Sequence, residues 1–121
     1  LKAMLNTLPF EITLVDENDI NIYFNEGEKV FTRPQMAIGR PVYSCHPKRV
    51  EPIVRMLISD FKKGKRDSLT ILSERSGHPV VINYFALRDD DGTYLGTLEA
   101  VQIIDGLADA IRNNKKGPID L

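Results

Sequence analysis

Residues 83–104 read NYFALRDDDGTYLGTLEAVQII, and this stretch decides the fold that we predict for the chain. Two runs rich in aromatic and β-branched side chains meet there across an acidic turn that contains Asp91 and Gly92. Asp and Gly tolerate the positive φ angles of tight turns, whereas aromatic and β-branched side chains suit the half-buried surface of a sheet. The stretch therefore predicts an antiparallel β-hairpin.

Further strands are predicted earlier in the chain. Apolar and polar residues alternate at 12–15 and again at 20–24, where Ile20, Ile22 and Phe24 share one face, so these runs predict a second hairpin. Residues 68–74 have the composition of a third strand, and a turn after them leads into the first strand of the hairpin described above. The sequence therefore predicts five strands in total.

One long helix is predicted between the two hairpins. Apolar residues recur there at spacings of three and four with charged residues between them, which is typical of an amphipathic helix. Pro52 fits only in the first turn, so the helix should begin near Arg49 or Val50, and Gly64 should end it. Residues 26–47 predict a connection with one or two single-turn helices that lies over the sheet.

The length of the chain, 121 residues, is enough for one domain with its own core. We expect a single domain over 1–121, with its core at about 8–105, an N-terminal helix at 1–8 and a C-terminal tail at 106–121. Because the sequence begins with Leu rather than Met, we also expect it to be a piece of a longer protein.

Charge and cysteine content argue against several function classes. The 16 basic and 17 acidic residues nearly cancel, so the chain lacks the electrostatic footprint of a nucleic-acid-binding protein. Its apolar runs are too short for a membrane span, and no charged-then-apolar leader opens the sequence. Cys45 is the single cysteine and cannot form an internal disulfide. We therefore expect a soluble, cytoplasmic protein that binds neither nucleic acid nor membrane.

The predicted elements follow in the order strand, strand, short helices, long helix and three strands. Hairpins on both sides of a helical middle favour an α+β fold, in which a five-stranded antiparallel sheet carries the short helices and the one long helix on one face. This order resembles the PAS fold over about 8–105, and short motifs along it resemble that fold too. The motifs are Leu14-Val15-Asp16, Tyr23-Phe24-Asn25, Ile38-Gly39, 88–92 and Leu95-Gly96.

Other motifs resemble one bacterial and archaeal subfamily of PAS domains. They lie at 8–13, at Cys45-His46-Pro47, at 84–88 and at 96–99. Members of that subfamily often follow a hemerythrin-like or uncharacterised helical region, so the resemblance implies such a region upstream. PAS domains typically close on Asp-Ile-Thr, whereas this chain has Ile103-Ile104-Asp105. We therefore expect a signal to leave through the N-terminal side or through a dimer partner.

An interior ligand pocket is predicted where strand and helix periodicity make side chains converge. Gln102 shares the strand parity of Leu98 and Ala100, so we expect its amide to point inward, where it needs hydrogen-bond partners. The same residues could instead simply fill a core. The predicted ligand-binding residues are Phe24, Met36, Ile38, Leu57, Phe61, Ile82, Tyr84, Leu98, Ala100 and Gln102.

Candidate metal ligands are few. Cys45 and His46 lie just before the long helix, and two such residues are too few for a structural zinc site, which needs four. His46 could serve as the one proximal ligand of haem, or it could have only a local role in the turn. Asp89, Asp90 and Asp91 fit a solvated hairpin tip better than a calcium loop. We therefore predict no metal site, and the sequence identifies no cofactor.

The resemblance implies a sensory or regulatory module in signal transduction, which binds a small-molecule ligand in its interior and signals by conformational change or dimerisation. In a ligand-free alternative, the outer face of the sheet and the helix at 1–8 mediate homodimerisation or contact an upstream domain. Tyr23, Phe85 and Leu87 would supply an apolar patch for that contact. No nucleophile with a base and an orienting group can be assembled, so we predict no catalytic residue and no enzyme.

Overall fold

A computed structural model of the chain describes residues 1–26, 38–46, 48–114 and 117. Five strands and three α-helices occur in these ranges, together with one short 3-10 helix. In chain order the elements are α1 (Lys2–Thr7), β1 (Glu11–Asp16), β2 (Asn21–Phe24), the 3-10 helix (Val42–Cys45), α2 (Glu51–Lys62), β3 (Ser68–Arg75), β4 (His78–Arg88), β5 (Tyr94–Ile103) and α3 (Asp105–Asn113).

The five strands form one sheet in the spatial order β2-β1-β5-β4-β3. Every neighbouring pair is antiparallel, which confirms the predicted α+β fold with a five-stranded antiparallel sheet. The hairpin predicted from 83–104 corresponds to β4 and β5. At its tip, Asp89 Oδ1 accepts hydrogen bonds from the N–H groups of Asp91 and Thr93, both at 2.9 Å, and Gly92 adopts a φ of 84°.

The long helix α2 covers the concave face of the sheet. Its buried side chains are Val54, Leu57, Ile58 and Phe61, which recur at the spacings of three and four that the sequence shows. The helix begins one residue after Val50, because Pro52 is accepted only in the first turn, where no intrahelical N–H is needed. The helix predicted from the apolar stripe is therefore present.

Arg88 joins the C-terminal end of α2 to the sheet. Its Nη2 donates to the carbonyl oxygen of Phe61 at 2.7 Å and to that of Arg66 at 3.3 Å, and its Nε donates to Asp67 Oδ1 at 3.1 Å. Hydrogen bonds from a charged donor are stronger than neutral ones, and the last carbonyls of a helix have no partner within the helix. Arg88 therefore fixes where α2 ends relative to β4.

The hairpin of β1 and β2 contains a bulge that the sequence did not reveal. Val15 pairs with Asn21 and Leu14 pairs with Tyr23, so Ile22 is an extra residue in β2. Ile22 is 45% exposed, whereas Asn21 is 1% exposed. The prediction that Ile20, Ile22 and Phe24 share one apolar face is therefore wrong, because the inserted residue shifts the alternation of sides.

Both ends of the described chain are tied to the sheet by polar contacts. The side chain of Asn25 accepts a bond from the N–H of Ile12 at 2.7 Å and donates to the carbonyl oxygens of Leu5 at 3.0 Å and Phe10 at 2.7 Å, which holds α1 in place. At the other end, the N–H of Ile104 donates to the carbonyl of Pro79 at 3.0 Å just before α3. Within the described ranges, no helix is both long enough and apolar enough to cross a membrane.

Candidate ligand pocket

A cavity of about 930 Å³ lies between the concave face of the sheet and the segment that contains the 3-10 helix and α2. The strands supply its floor, and Val54, Leu57 and Ile58 of α2 supply the opposite wall. Because α2 presents aliphatic side chains at helical spacing, this wall is apolar. The helix that covers the sheet therefore also closes the cavity.

One register row of side chains crosses the floor from edge to edge, and we call it the central row. Thr13 pairs with Phe24 on one side and with Glu99 on the other, Glu99 pairs with Tyr84, and Tyr84 pairs with Leu69. All five side chains line the cavity. The carboxyl group of Glu99 thus lies at the middle of the sheet, between the two hydroxyl-bearing residues Thr13 and Tyr84.

The rows on either side of the central row differ in polarity. The row toward the start of β5 contains Asn21 and Thr97, both almost fully buried, on either side of Val15. The Thr97 and Tyr94 hydroxyls are 2.7 Å apart, and burial raises the pKa of Tyr94 although this hydrogen bond opposes the change. The row on the other side contains Ile71, Ile82 and Val101, which line the cavity, and it ends in the buried Glu11 on β1.

Exposed lining residues mark the mouth of the cavity, and three of the four charged ones are basic. Arg40, Arg49 and Arg75 line it, and all three are exposed. Glu74 is also exposed there. Exposed charges are screened by water and salt, so these residues act more weakly on the interior than Glu99, the half-buried carboxyl group among the residues that line the cavity.

His46 lines the cavity near its mouth, directly after the 3-10 helix. Its Nδ1 lies 2.9 Å from the carbonyl oxygen of Val42, a contact that requires the proton on Nδ1. The imidazole is thereby hydrogen-bonded to the first residue of the short helix, and Nε2 takes no part in that contact. In the part of the chain that the structure describes, no three His, Cys, Asp or Glu side chains are placed to hold a metal ion.

Asp19 joins three elements beside the cavity. Its backbone carbonyl accepts the N–H of Val42 at 2.7 Å, its Oδ2 accepts the Tyr43 hydroxyl at 2.9 Å, and its Oδ1 lies 2.9 Å from Lys62 Nζ. Burial, helped by the bond to Asp19, raises the pKa of Tyr43 to about 12. The guanidinium of Arg55 lies 3.9 Å above the Tyr43 ring. These contacts fix the 3-10 helix and the C-terminal end of α2 to the β1–β2 turn.

The structure brings together four of the ten predicted ligand-binding residues. Phe24, Leu57, Ile82 and Tyr84 line the cavity. Phe61 is fully buried, with 0% exposure, but it packs beyond the cavity wall, and Ile38 is exposed outside it. Met36 lies outside the described residues.

The other three predicted residues, Leu98, Ala100 and Gln102, lie on the opposite face of β5. Thr97, Glu99 and Val101 line the cavity instead, and neighbouring residues of a strand point to opposite faces. The expectation that the amide of Gln102 points inward is therefore corrected.

A second bulge explains why Thr97, Glu99 and Val101 face the cavity in place of the predicted residues of β5. Arg88 pairs with Tyr94, but Leu87 pairs with Gly96, so Leu95 is an extra residue in β5. Without it, the tip of the hairpin would align even-numbered residues of β5 with Tyr84. Because a shift of one residue turns every later side chain to the other face, Glu99 rather than Leu98 lies opposite Tyr84. The only sequence signal for this inward face is that Thr97 and Glu99, which alternate with Val101 on it, are polar.

Comparison with known proteins agrees with this geometry. Residues 1–105 match the PAS domain family. The chain belongs to the PAS family. Membership supports a sensory or regulatory role in general terms, and it confirms the PAS resemblance. The predicted position after a hemerythrin-like or helical region stays a prediction.

Solved structures of other proteins share the fold. A C-terminal domain from Streptococcus mutans is 33% identical, with a TM-score of 0.83 over 89% of this chain and 85% of that one. A sensory box sensor histidine kinase from Vibrio cholerae is 16% identical, with a TM-score of 0.59 over 83% of this chain and 85% of that one. VqmA from Vibrio cholerae, in a complex with ligand and DNA, is 19% identical, with a TM-score of 0.62 over 98% of this chain and 60% of that one. A search of curated proteins returned no significant match.

Proposed function

We propose that the chain is a sensory PAS module that binds a small ligand in the cavity between the central row and α2. The single observation that carries this proposal is the cavity itself. Its volume of about 930 Å³ falls within the range of about 300–1,000 Å³ that is typical of small-molecule sites. Like such sites, it combines mostly apolar walls with a few polar groups.

The polar floor also favours a ligand site over a packed core. A core is usually filled with apolar side chains, because polar groups lose their hydration when they are buried. Here Thr13, Glu99 and Tyr84 occupy adjacent positions at the centre of the concave face. Polar groups in that place suit recognition better than packing.

A bound ligand would act on elements that lead out of the domain. It would contact β1 through Thr13 and β5 through Glu99, and β1 follows α1, which Asn25 ties to the same sheet. A ligand that fits one separation of α2 and the sheet better than another shifts the balance between those two conformations. We propose that the change passes to the N-terminal side or to a second copy of the chain.

Two substitutions on neighbouring residues of β3 test the cavity. Ile71→Trp places a large ring in the cavity, whereas Leu72→Trp places the same ring on the outer face, where Leu72 is 75% exposed. Native mass spectrometry and absorption spectra of the freshly purified wild type should reveal a bound small molecule. We expect Ile71→Trp to lose it and Leu72→Trp to retain it. Equal retention by both variants would place the ligand elsewhere.

Self-association through the outer face of the sheet is a second proposal. Tyr23, Leu14, Leu98 and Phe85 form a row there across four strands, and Phe85 is 41% exposed. An apolar row of this kind is suited to contact with a second copy of the chain. Light scattering should show a dimer that Phe85→Ser weakens, whereas a monomeric wild type would remove this proposal.

Haem binding through His46 is a third proposal, supported by the position of the imidazole at the cavity and by its Nδ1 contact with Val42, which leaves Nε2 for a metal. Titration with haemin tests it directly. A Soret shift that His46→Ala abolishes would support axial ligation, and a spectrum unaffected by that substitution would refute it.

A further inference from the structure

We infer that the cavity takes a small, partly apolar compound that presents a hydrogen-bond-donating nitrogen, such as an ammonium, an amidinium or a ring N–H, to the carboxylate of Glu99. The inference rests on the proposed function, since it assumes that the cavity is a ligand site. It adds the chemical class of the ligand and its orientation in the cavity.

The position of Glu99 is the first observation. Glu99 lies in the third of five positions in the central row, with Thr13 and Tyr84 as its direct cross-strand neighbours. The row ends in Phe24 on one side and Leu69 on the other. An acidic side chain thus stands at the centre of a floor whose two ends are apolar.

The chemistry of a carboxylate determines what it can recognise. An ionised carboxylate only accepts hydrogen bonds, and its two oxygens offer about four acceptor sites. Glu99 already takes part in an interaction within the chain, and that number of sites leaves room for a donor from a ligand. A carboxylate or phosphate on the ligand would instead meet repulsion at this point.

Partial burial strengthens this preference. Glu99 is half-buried beneath α2, and a charge pair near a protein surface attracts about four-fold more strongly than the same pair in bulk water. Hydrogen bonds between charged partners are also roughly twice as strong as neutral ones. A cationic or N–H donor group is therefore favoured at the floor of the cavity.

The arginines at the mouth do not reverse this preference. Arg40, Arg49 and Arg75 are exposed, so water and salt screen them, and Glu74 beside them offsets part of their charge. They could draw an anionic group to the opening, but they do not lie in the central row. The group that enters furthest meets Glu99.

The body of the ligand would be apolar and flat. Val54, Leu57 and Ile58 face the floor from α2, and Ile71, Ile82 and Val101 lie beside the central row. An aromatic ring placed between these surfaces would bury both of its faces. The preferred compound therefore combines such a ring, or an aliphatic equivalent, with a nitrogen donor at one end.

Benzamidine and benzoate are suitable probes, because they have nearly the same shape and carry opposite charges. Binding of each to the chain is measured by isothermal titration calorimetry after removal of any co-purified ligand. We expect benzamidine to bind at least about ten-fold more tightly than benzoate. We expect Glu99→Gln to remove that preference, Glu99→Asp to reduce it, and Glu74→Gln, at the mouth, to change it less than about three-fold.

The outcomes separate this inference from the proposed function. Tighter binding of benzoate, or benzamidine affinity that survives Glu99→Gln, would overturn the nitrogen-donor class and leave the cavity as a ligand site. If the wild type binds neither probe and carries no small molecule in native mass spectra, the ligand site itself is refuted. If Glu99→Gln does not fold, the preference of the wild type and its reduction in Glu99→Asp still decide the question.

Discussion

Replacement of Gly96 by alanine should destabilise the sheet where β5 passes β1. A Cβ atom at Gly96 would lie 2.2 Å from the carbonyl oxygen of Val15, 3.3 Å from its carbonyl carbon and 3.4 Å from the Cα of Asp16. Real Cβ atoms essentially never lie closer than 3.0 Å to such atoms. The obstructing atoms are backbone and cannot rotate away, so the two strands must move apart by roughly 1 Å, by van der Waals contact distances.

The size of the effect follows from what that movement breaks. Gly96 pairs with Asp16 at the end of the β1–β5 ladder, and the next pair is Val15 with Thr97. Loss of one or two backbone hydrogen bonds is worth about 1 kcal/mol each, and forcing an extra methyl group into a packed site adds about 1–3 kcal/mol. We therefore expect the free energy of unfolding to fall by about 2–5 kcal/mol.

Thermal unfolding followed by circular dichroism measures this loss. At about 2.1 cal/mol/K per residue, 1 kcal/mol lowers the Tm of a chain of this length by about 4 °C, so Gly96→Ala should lower it by about 8–20 °C. Gly106→Ala is the matched control. Gly106 lies in α3 with no atom within 4 Å of its Cβ position, so alanine should be neutral or stabilise by up to about 1 kcal/mol. A Tm for Gly96→Ala within about 2 °C of the wild type, or an equal loss in the control, would refute the reasoning.

Three further substitutions test contacts that position the cavity wall and α3. Arg88→Ala should lower the free energy of unfolding in urea by about 1.5–3 kcal/mol, because it removes charge-assisted bonds to the carbonyl oxygen of Phe61 in α2 and to that of Arg66 after it. A variant as stable as the wild type would contradict this. Tyr43→Phe should lose about 1 kcal/mol at neutral pH with its bond to Asp19. The pKa of Tyr43 is raised to about 12 in the folded state, whereas it is about 10 in the unfolded chain. The difference in free energy of unfolding between the wild type and Tyr43→Phe should therefore shrink as pH rises from about 10 to 12. A difference that does not change with pH would contradict the contact. His78→Ala should speed amide hydrogen exchange at Ala108, whose N–H bonds to the carbonyl of Ile104, since His78 Nδ1 lies 2.7 Å from Asp105 Oδ2 at the start of α3. Arg112→Ala, which breaks only a contact within α3, should leave exchange at Ala108 unchanged.

The helix and the hairpin turn could be predicted because each depends on a few residues that are close in sequence. The apolar stripe that includes Val54, Leu57 and Ile58 predicts a helix, because only one face of a helix that covers a sheet is buried. Asp91 and Gly92 predict a hairpin tip, because few residues adopt the backbone angles that such a turn needs. Each of these signals requires only a few neighbouring residues, and each is confirmed by the structure.

The identity of the pocket residues could not be predicted in the same way. The predicted face is right for Ile82 and Tyr84, because β4 is continuous through them. It is wrong for Leu98 and Gln102, because the bulge at Leu95 precedes them in β5. Both faces of β5 carry apolar side chains, so hydrophobicity alone does not reveal which face is inside. A single inserted residue therefore leaves the prediction of the strand correct but makes the prediction of its inward-facing residues wrong.

The two bulges also explain how this sheet combines a polar floor with a stable fold. The extra residue Ile22 turns Asn21 inward on β2, and the extra residue Leu95 turns Thr97 and Glu99 inward on β5. The apolar residues displaced to the outer face, Leu98 among them, pack against cross-strand neighbours instead of lining the cavity. Because a bulge re-aims side chains and disrupts the ladder only locally, the strands stay paired on both sides of each bulge while Asn21, Thr97 and Glu99 face the cavity.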